Sequence, residues 1–251
     1  MKILAVSGKA GSGKDYTAEI MKKELEFRGK KVLITHYADL LKYLCRSLFD
    51  WDGKKDEKGR HLLQYVGTEI VRNQDPDFWV DFLVKIFTLF NEEWDFVIIP
   101  DCRFPNEINK LSDFDVTSVR ITRPGYENGL TEEAKNHLSE IALDDYRFDY
   151  TLVNCGTENY NKTVSEFIDK ILSSARRAFE HAFNEKIDAF KNHSKYDWLR
   201  QYANEAIGLN KFNGKNQKVA EDFMNRIITA TYSEIKDWLD CEKPLDWTSL
   251  T

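Results

Sequence analysis

Residues 8 to 14 read Gly-Lys-Ala-Gly-Ser-Gly-Lys and match the pattern G-x-x-x-x-G-K. The match follows a strand-like apolar run at residues 2 to 7 and precedes a helical pattern from about Lys14 to Phe27. In this context glycines let backbone N–H groups turn inward around phosphate oxygens, and the helix N-terminus adds partial positive charge. The plainer alternative is a glycine-rich turn that binds nothing. The position of the motif directly after the first strand argues against this alternative.

We therefore expect this segment to hold the phosphates of ATP. The phosphate-binding residues are predicted to be Gly8, Ala10, Gly11, Ser12, Gly13, Lys14 and Asp15. Lys14 is expected to reach the β- and γ-phosphates and to act in catalysis. Asp15 stands where Ser or Thr usually binds magnesium, and a carboxylate is a suitable Mg²⁺ ligand, directly or through water.

Four further apolar runs have strand length, at residues 32–37, 96–100, 116–122 and 150–154, and helical patterns alternate with them. This alternation predicts an α/β fold, a P-loop kinase three-layer sandwich with a five-stranded, mainly parallel sheet. Ligands bind at the carboxyl ends of the strands in such folds. Those ends carry Gly8, Asp39, Asp101, Arg123 and Asn154.

The run from Phe96 to Pro100 ends on Asp101, which could hold magnesium or orient an acceptor phosphate. Arginine guanidinium groups can grip phosphate through two hydrogen bonds. Arg103 could reach a phosphate from the same edge, Arg123 precedes a polar segment at 124–137 that we expect to close as a lid, and Arg72 is a further phosphate clamp.

The pattern changes after about residue 174 to three helical stretches without a convincing strand. The sequence therefore predicts a kinase domain at 1–174 and an all-helical C-terminal extension at 175–251. The second stretch is expected to end at Gly208, and the third to be one helix from about Lys215 to Leu239.

The bulk composition restricts the class of protein. A net charge of −6 argues against a broad nucleic-acid surface. No apolar run reaches the length needed to span a bilayer, and no signal peptide is evident, so a cytoplasmic location is predicted. The spacing of Cys45, Cys102, Cys155 and Cys241 indicates reduced thiols rather than a zinc site or disulfides.

The segment His137-Leu138-Ser139-Glu140 has two readings. It could contribute to metal binding, although no second histidine lies at ligand spacing. It could equally be the capped start of a helix, with Ser139 near the N-terminus.

Several segments in their order along the chain resemble the deoxynucleoside monophosphate kinases of bacteriophages and some bacteria. They are Gly8 to Asp15, Tyr37-Ala-Asp-Leu-Leu-Lys42, Leu63-Gln-Tyr-Val-Gly-Thr-Glu69 with Arg72, Phe78-Trp79, Ile99-Pro-Asp-Cys-Arg-Phe-Pro-Asn-Glu107, Thr122-Arg-Pro-Gly125 and His137-Leu-Ser-Glu140. The resemblance covers about residues 1 to 172, and Gly-Lys-Asp looks usual for this family.

The resemblance implies an adenylate-kinase-like fold and transfer of the ATP γ-phosphate to a deoxynucleoside 5′-monophosphate. The expected cofactors are ATP and Mg²⁺, with Asp15 and Asp101 as the metal ligands on the reasoning from the residues given above, and the expected partners are small nucleotides. Lys14, Asp101, Arg103 and Arg123 are the expected catalytic residues. The residues expected at the acceptor are Asp39, Lys42, Gln64, Arg72, Trp79, His137 and Glu140.

Two alternatives stay open from the sequence. The Gly-Lys-Asp loop is also similar to animal phosphomevalonate kinases, which would make the acceptor another phosphorylated metabolite. The chain could instead be an ATP-binding module whose helical tail docks a partner. The sequence does not choose between a monomer and a homodimer.

Overall fold

The structure is a computed structural model that describes residues 1–54, 56–127, 129, 131–157, 159–209 and 214–240. The chain forms two compact units, Met1–Ile168 and Asp169–Thr251. The sequence placed this boundary at residue 174, slightly further along the chain.

Five strands form the sheet of the first unit: β1 Lys2–Ser7, β2 Val32–Ile34, β3 Phe96–Cys102, β4 Asp115–Thr122 and β5 Tyr150–Val153. Their order is β2-β3-β1-β4-β5, and every adjacent pair is parallel. The predicted five-stranded α/β sheet is confirmed. Because the strands are parallel, their carboxyl ends share one edge, with the glycine-rich turn after the central strand.

Helices of the first unit connect these strands. They are α1 Lys14–Phe27, α2 Ala38–Leu48, α3 Glu57–Gln64, a π-helix Tyr65–Arg72, α4 Phe78–Leu89, α5 Pro105–Asn109, α6 Glu132–Lys135, α7 Leu138–Ile141 and the first part of α8 Asn159–Asp188.

The central strand β1 is buried on both faces, since Ile3, Leu4, Ala5 and Val6 are all 0% exposed. Alternate side chains of a strand point to opposite faces, so Ile3 and Ala5 share one face. These two residues belong to the same core cluster as residues of α4. Burial on both sides explains why the strand is continuously apolar in sequence.

Two boundaries differ from the sequence predictions in this unit. Residues 50–60 are charged and contain two glycines, a pattern that predicts a surface loop, but α3 already begins at Glu57, because the Asp56 side chain accepts a hydrogen bond from the Gly59 N–H at 2.8 Å. The sequence pattern from Leu62 to Arg72 predicts a single helix, whereas the structure has an α-helix that continues as a π-helix from Tyr65.

The second unit is helical, as predicted, and contains the rest of α8 with α9 Tyr196–Leu209, α10 Gly214–Thr229 and α11 Tyr232–Asp240. It has its own apolar core, in which Phe183 and Phe223 pack with ring centroids 6.0 Å apart. Helix α9 continues one residue past Gly208, the expected end.

The predicted single helix 215–239 is wrong, because the chain breaks between α10 and α11. Thr231 and Glu234 form a reciprocal cap that starts a new helix. The Thr231 hydroxyl accepts from the Glu234 N–H at 3.2 Å, and the Glu234 carboxylate accepts from the Thr231 N–H at 2.7 Å.

Within the described residues, none of the helices combines the length and the apolar character that crossing a membrane requires. Cys45 and Cys102 are buried and Cys155 is exposed, all as free thiols, while Cys241 lies outside the described residues.

The core of the first unit gives a stability prediction. Phe87 is 0% exposed and packs edge-to-face on Phe114, so Phe87→Ala should lower the free energy of unfolding by about 3–5 kcal/mol. Native-state hydrogen exchange at the β1 and β3 amides measures this loss. The matched control is Phe27→Ala, whose ring is 89% exposed and whose loss should change stability by less than about 0.5 kcal/mol. Equal losses in both variants would contradict the assignment of the core.

Candidate active site

The glycines of the loop between β1 and α1 are required by the backbone. Gly11 and Gly13 adopt φ values of 77° and 93°, which other L-residues rarely do. No side chain fits at position 8, because a Cβ on Gly8 would lie 2.5 Å from the Ile121 carbonyl oxygen. The loop therefore presents backbone, rather than side chains, at the edge of the sheet.

The Ser12 hydroxyl lies within this loop and is available to donate a hydrogen bond. Ser12 is 4% exposed, and its Oγ is buried without a hydrogen-bond partner among the described residues. Buried polar atoms are almost always satisfied in folded proteins. An anionic oxygen bound in the loop would satisfy this donor.

Lys14 lies curled over the same loop. Its Nζ donates to the carbonyl oxygens of Gly8 at 2.7 Å and Lys9 at 3.1 Å. Burial, with a smaller contribution from the Arg103 charge, lowers the pKa of Lys14 to about 8. A buried cation whose pKa is lowered is stabilised by an arriving anion, so Lys14 is suited to a phosphate.

Glu140 brings α7 onto the loop. Its carboxylate accepts from the Ala10 N–H at 3.0 Å and forms an ion pair with Arg103. The side chain of Lys9 strengthens this contact, because its Nζ donates to the Glu140 carbonyl at 2.7 Å and pairs with Asp144. The structure therefore places Arg103 beside the loop and also places Glu140 there.

Asp101 caps helix α2. Its Oδ1 accepts from the Tyr37 N–H and its Oδ2 from the Ala38 N–H, both at 3.0 Å. The carboxylate is thus engaged through both oxygens, and it fixes the start of α2, on which Asp39 and Lys42 lie.

His36 connects the loop with α2, and sequence reasoning missed it. Its Nε2 lies 3.1 Å from an Asp15 oxygen, and its Nδ1 lies 3.3 Å from Asp39. The hydrogen bond to Asp15 raises the pKa of His36. The available signal was its position after β2, at the edge where the other strands also present polar residues.

Asp39 also pairs with Lys42, at 2.8 Å. Burial alone would raise the pKa of Asp39, but Lys42, His36 and the His36 N–H together hold it below its usual range. Two residues expected at the acceptor site therefore contact each other on the first turns of α2.

Arg72, at the end of the π-helix, is held by the buried carboxylate of Glu107. Its guanidinium also stacks over the Phe104 ring at 4.1 Å. Burial raises the pKa of Glu107 to about 7, although Arg72 and the N–H groups of Arg103 and Phe104 oppose the rise. Glu107 is a positioning residue that the sequence showed only as part of a motif.

Trp79 lies in the core rather than on an open surface. It is 3% exposed, and its Nε1 donates to the Gly67 carbonyl at 3.0 Å. Gly67 lies in the first half of the π-helix, so Trp79 supports that helix from the core. Gln64 is half-buried at the junction of α3 and the π-helix.

His137 starts α7, as one of the two readings proposed. Its Nδ1 accepts from the Ser139 N–H at 3.2 Å. Among the residues that the structure describes, no group of three or more His, Cys, Asp or Glu side chains could hold a metal ion.

Arg123 lies on the other side of the loop. Its guanidinium stacks over the Tyr126 ring at 4.1 Å, and Nη1 is 3.4 Å from the Gly11 carbonyl. The expected lid, 124–137, lies partly outside the described residues.

An open cleft of about 390 Å³ begins next to Arg123. Its lining includes Gly13, Tyr16, Arg123, Asn154, Gly156 and Tyr160. The cleft adjoins the glycine-rich loop at Gly13, and concave sites of this kind are where small ligands usually bind.

A sequence model of the family described as "Deoxynucleotide monophosphate kinase" matches residues 46–171, half of the chain. A curated relative, a putative deoxynucleotide monophosphate kinase of Acanthamoeba polyphaga mimivirus, is 29% identical over 205 residues, which cover 71% of this chain and 98% of the relative. The deoxynucleotide monophosphate kinase of Enterobacteria phage T4 is 31% identical over 100 residues, and the match spans 39% of each protein.

Among solved structures, the Mycobacterium tuberculosis APS kinase CysC in complex with AMPPNP and APS matches with 15% identity and a TM-score of 0.40. The match covers 67% of this chain and 95% of that protein. A TM-score this low carries no conclusion about the present chain.

The buried Glu107 gives a prediction about pH. A carboxyl group whose pKa is higher in the folded than in the unfolded chain binds protons more tightly when folded, so its contribution to stability falls as pH rises between the two values. The free energy of unfolding of the wild type, minus that of Glu107→Gln, should therefore fall between pH 4.5 and about pH 7, by about 3 kcal/mol at most.

Urea denaturation of both proteins across this pH range measures the difference, and subtracting the variant removes the contribution of other titrating groups. A difference that rises with pH would show that Arg72 outweighs burial and lowers the pKa of Glu107.

Proposed function

The chain belongs to the deoxynucleotide monophosphate kinase family, and from this membership we propose that it transfers the γ-phosphate of ATP to a deoxynucleoside 5′-monophosphate. The observation that carries the proposal for ATP is the phosphate loop, in which the buried Ser12 hydroxyl lacks a partner among the described residues and the Lys14 cation lies alongside. The family match favours a deoxynucleotide over a phosphorylated metabolite of another kind as acceptor.

On the donor side, the loop from Gly8 to Asp15 holds the triphosphate, and the cleft beside Arg123 takes the nucleoside. The Ala10 N–H and the Arg103 guanidinium now bind the Glu140 carboxylate. Phosphate oxygens can accept hydrogen bonds from the same two groups. Binding of the donor would therefore replace the Glu140 carboxylate with a phosphate at this point.

On the acceptor side, α2 and the π-helix supply the proposed contacts. Lys42 and Arg72 bind the monophosphate, and Asp39, Gln64 and His137 complete the site. Arg72 is held in place by Glu107 and Phe104, so it does not lose side-chain freedom when it binds. Trp79, expected at the acceptor, is buried and would act there by supporting the π-helix through its hydrogen bond to Gly67.

The residues fit a magnesium ion that is shared with the nucleotide. Mg²⁺ is usually bound by one or two carboxylates together with substrate phosphates and waters, so a cage of three protein ligands is not needed. The Asp15 side chain is 79% exposed at the loop, whereas both Asp101 oxygens accept backbone hydrogen bonds. We assign direct ligation to Asp15 and a water-mediated role to Asp101; the ion would neutralise charge on the phosphates.

Transfer is direct and in line. The acceptor phosphate is already ionised, so neither a covalent intermediate nor a general base is required. Lys14, Arg103, Arg123 and the loop N–H groups stabilise the charge that develops on the transferred group. Small nucleotides are the proposed partners, and a cytoplasmic location stays a prediction.

The deciding experiment is a coupled assay of ADP release with ATP and, separately, dTMP, dGMP, dCMP, dAMP and phosphomevalonate. We expect release to be stimulated by one or more deoxynucleotides and not by phosphomevalonate. Stimulation by phosphomevalonate alone, or ATP binding without stimulation by any acceptor, would overturn the proposal in favour of one of its alternatives.

Lys14→Ala should lower the rate of transfer by about 10²-fold or more, because it removes a cation that faces developing charge. The same assay measures the rate, and circular dichroism checks the fold. Lys23→Ala is the control, since Lys23 is exposed on the same helix and should leave the rate unchanged. Near-normal activity of Lys14→Ala would remove the loop from the mechanism.

Asp15→Asn should raise the Mg²⁺ concentration needed for half-maximal rate by about tenfold or more, because an amide is a weaker ligand than a carboxylate. Magnesium titrations at fixed ATP measure this shift. The exposed Glu19, one turn further along α1, gives the control Glu19→Gln. An unchanged requirement in Asp15→Asn would assign direct ligation elsewhere.

A further inference from the structure

Asn154 follows β5 directly and is buried, with 5% exposure. Its Nδ2 donates to the Ser12 carbonyl at 3.0 Å, and its Oδ1 accepts from the Gly156 N–H at 3.0 Å. Its own N–H donates to the Thr122 carbonyl at 2.7 Å, which fixes its backbone beside the end of β4. One amide therefore connects the phosphate loop to the turn that lines the neighbouring cleft.

The bond to the Ser12 carbonyl also determines the direction of an N–H group. A trans peptide is planar, and its C=O and N–H point in opposite directions. The described chain has no cis peptides. Because Asn154 holds the Ser12 C=O toward the end of β5, the N–H of Gly13 must point away from Asn154.

The loop needs such a restraint from outside. Gly13 has φ of 93°, and reversing the Ser12–Gly13 peptide would bring its φ into the negative range that glycine also populates. Gly13 therefore permits the turn but does not by itself select one orientation of the Ser12–Gly13 peptide. Asn154 also leaves no room for a side chain at position 13, because a Cβ on Gly13 would lie 2.5 Å from the Asn154 Nδ2.

The two hydrogen bonds of Asn154 are chemically unlike, and this fixes the amide. Its nitrogen faces a carbonyl and its oxygen faces an N–H, so exchanging the two ends would oppose oxygen to oxygen and N–H to N–H. A side chain with one donor and one acceptor is required here, and aspartate, which has the same shape, lacks the donor.

We propose that Asn154 is a positioning residue for the donor phosphates. Its buried amide selects the orientation of the Ser12–Gly13 peptide, keeps the loop N–H groups preorganised for phosphate, and joins the loop to the Gly156 turn beside the nucleoside cleft. The inference rests on the proposed function, because it deepens the role of the donor site.

The test compares Asn154→Asp and Asn154→Ala with the control Asp149→Ala. Asp149 lies at the opposite end of β5, where its carboxylate accepts from the Ser118 N–H and hydroxyl at 2.8 Å, so the control also removes two hydrogen bonds that anchor this strand. Each protein is titrated with ADP by calorimetry, and kcat and KM are measured separately for ATP and for the accepted deoxynucleotide. Thermal unfolding without ligand is recorded for all.

We expect ADP affinity to fall about tenfold or more in Asn154→Asp, where a carboxylate faces the Ser12 carbonyl, and about threefold to tenfold in Asn154→Ala. KM for ATP should rise in the same order, while KM for the deoxynucleotide stays within about twofold of the wild type. The control should keep ADP affinity and both KM values, whatever its loss in unfolding temperature.

Equal ADP affinity in all four proteins would overturn the inference, and so would losses that follow the unfolding temperature instead of the identity of residue 154. If Asn154→Asp does not fold, the comparison of Asn154→Ala with Asp149→Ala decides. A failure of the proposed function is distinct from either result, because it would appear in the wild type as absence of transfer, while ADP binding still tests Asn154.

Discussion

The organisation of the site depends on two carboxylates, Asp101 near the end of β3 and Glu107 in the short helix α5 that follows it. Asp101 accepts the first two N–H groups available at the start of α2, and Glu107 accepts the N–H groups of Arg103 and Phe104 while it holds Arg72. The short segment between them carries Arg103, which reaches Glu140 and so the phosphate loop. Helix α2 and the π-helix, on the acceptor side, and the loop, on the donor side, are therefore positioned from a single turn of the chain. Loss of Asp101 would leave the N–H groups of Tyr37 and Ala38 without their acceptor, and loss of Glu107 would do the same for Arg72 and for the N–H groups of Arg103 and Phe104.

Charge around the loop is close to balanced before any substrate is bound. Burial, and to a smaller extent the Arg103 charge, lowers the pKa of Lys14, whereas the charges of Glu140, Asp15 and Asp101 act in the opposite direction. An arriving triphosphate adds several negative charges to this arrangement. The carboxylates would then lose their cationic partners or be shielded by a cation, and this supports the proposal of a magnesium ion at Asp15 on physical grounds that do not depend on motif matching.

The elements that could be predicted from sequence are those fixed by local pattern. Residues 2–7 form a strand because they are continuously apolar, and the adjacent glycines specify the turn into α1. The failures have tertiary or capping causes. A side-chain cap at Asp56 starts α3 inside a charged segment, and the reciprocal cap of Thr231 and Glu234 divides a helix whose apolar spacing is continuous. Residue types likewise suggested Arg72 as a candidate phosphate ligand, which stays a prediction, but did not show that Glu107 is the carboxylate that holds it, since that pair joins positions 35 residues apart.

The glycines of the phosphate loop permit several backbone conformations, but contacts from other parts of the fold hold the loop in one of them. Glycine at 11 and 13 is needed for positive φ values, and glycine also loses more conformational entropy on ordering than any other residue. If the loop ordered only when phosphate arrived, that cost would reduce the affinity for the donor.

Two contacts made by residues distant in sequence order the loop during folding instead. They are the Glu140 carboxylate at Ala10 and the Asn154 amide at Ser12. The two contacts differ in one respect that matters for binding: Glu140 occupies an N–H that a phosphate can use, whereas Asn154 occupies a carbonyl that a phosphate cannot. In the proposed mechanism, preorganisation by Asn154 would therefore persist when the donor binds, whereas the contact of Glu140 would be replaced by the donor itself.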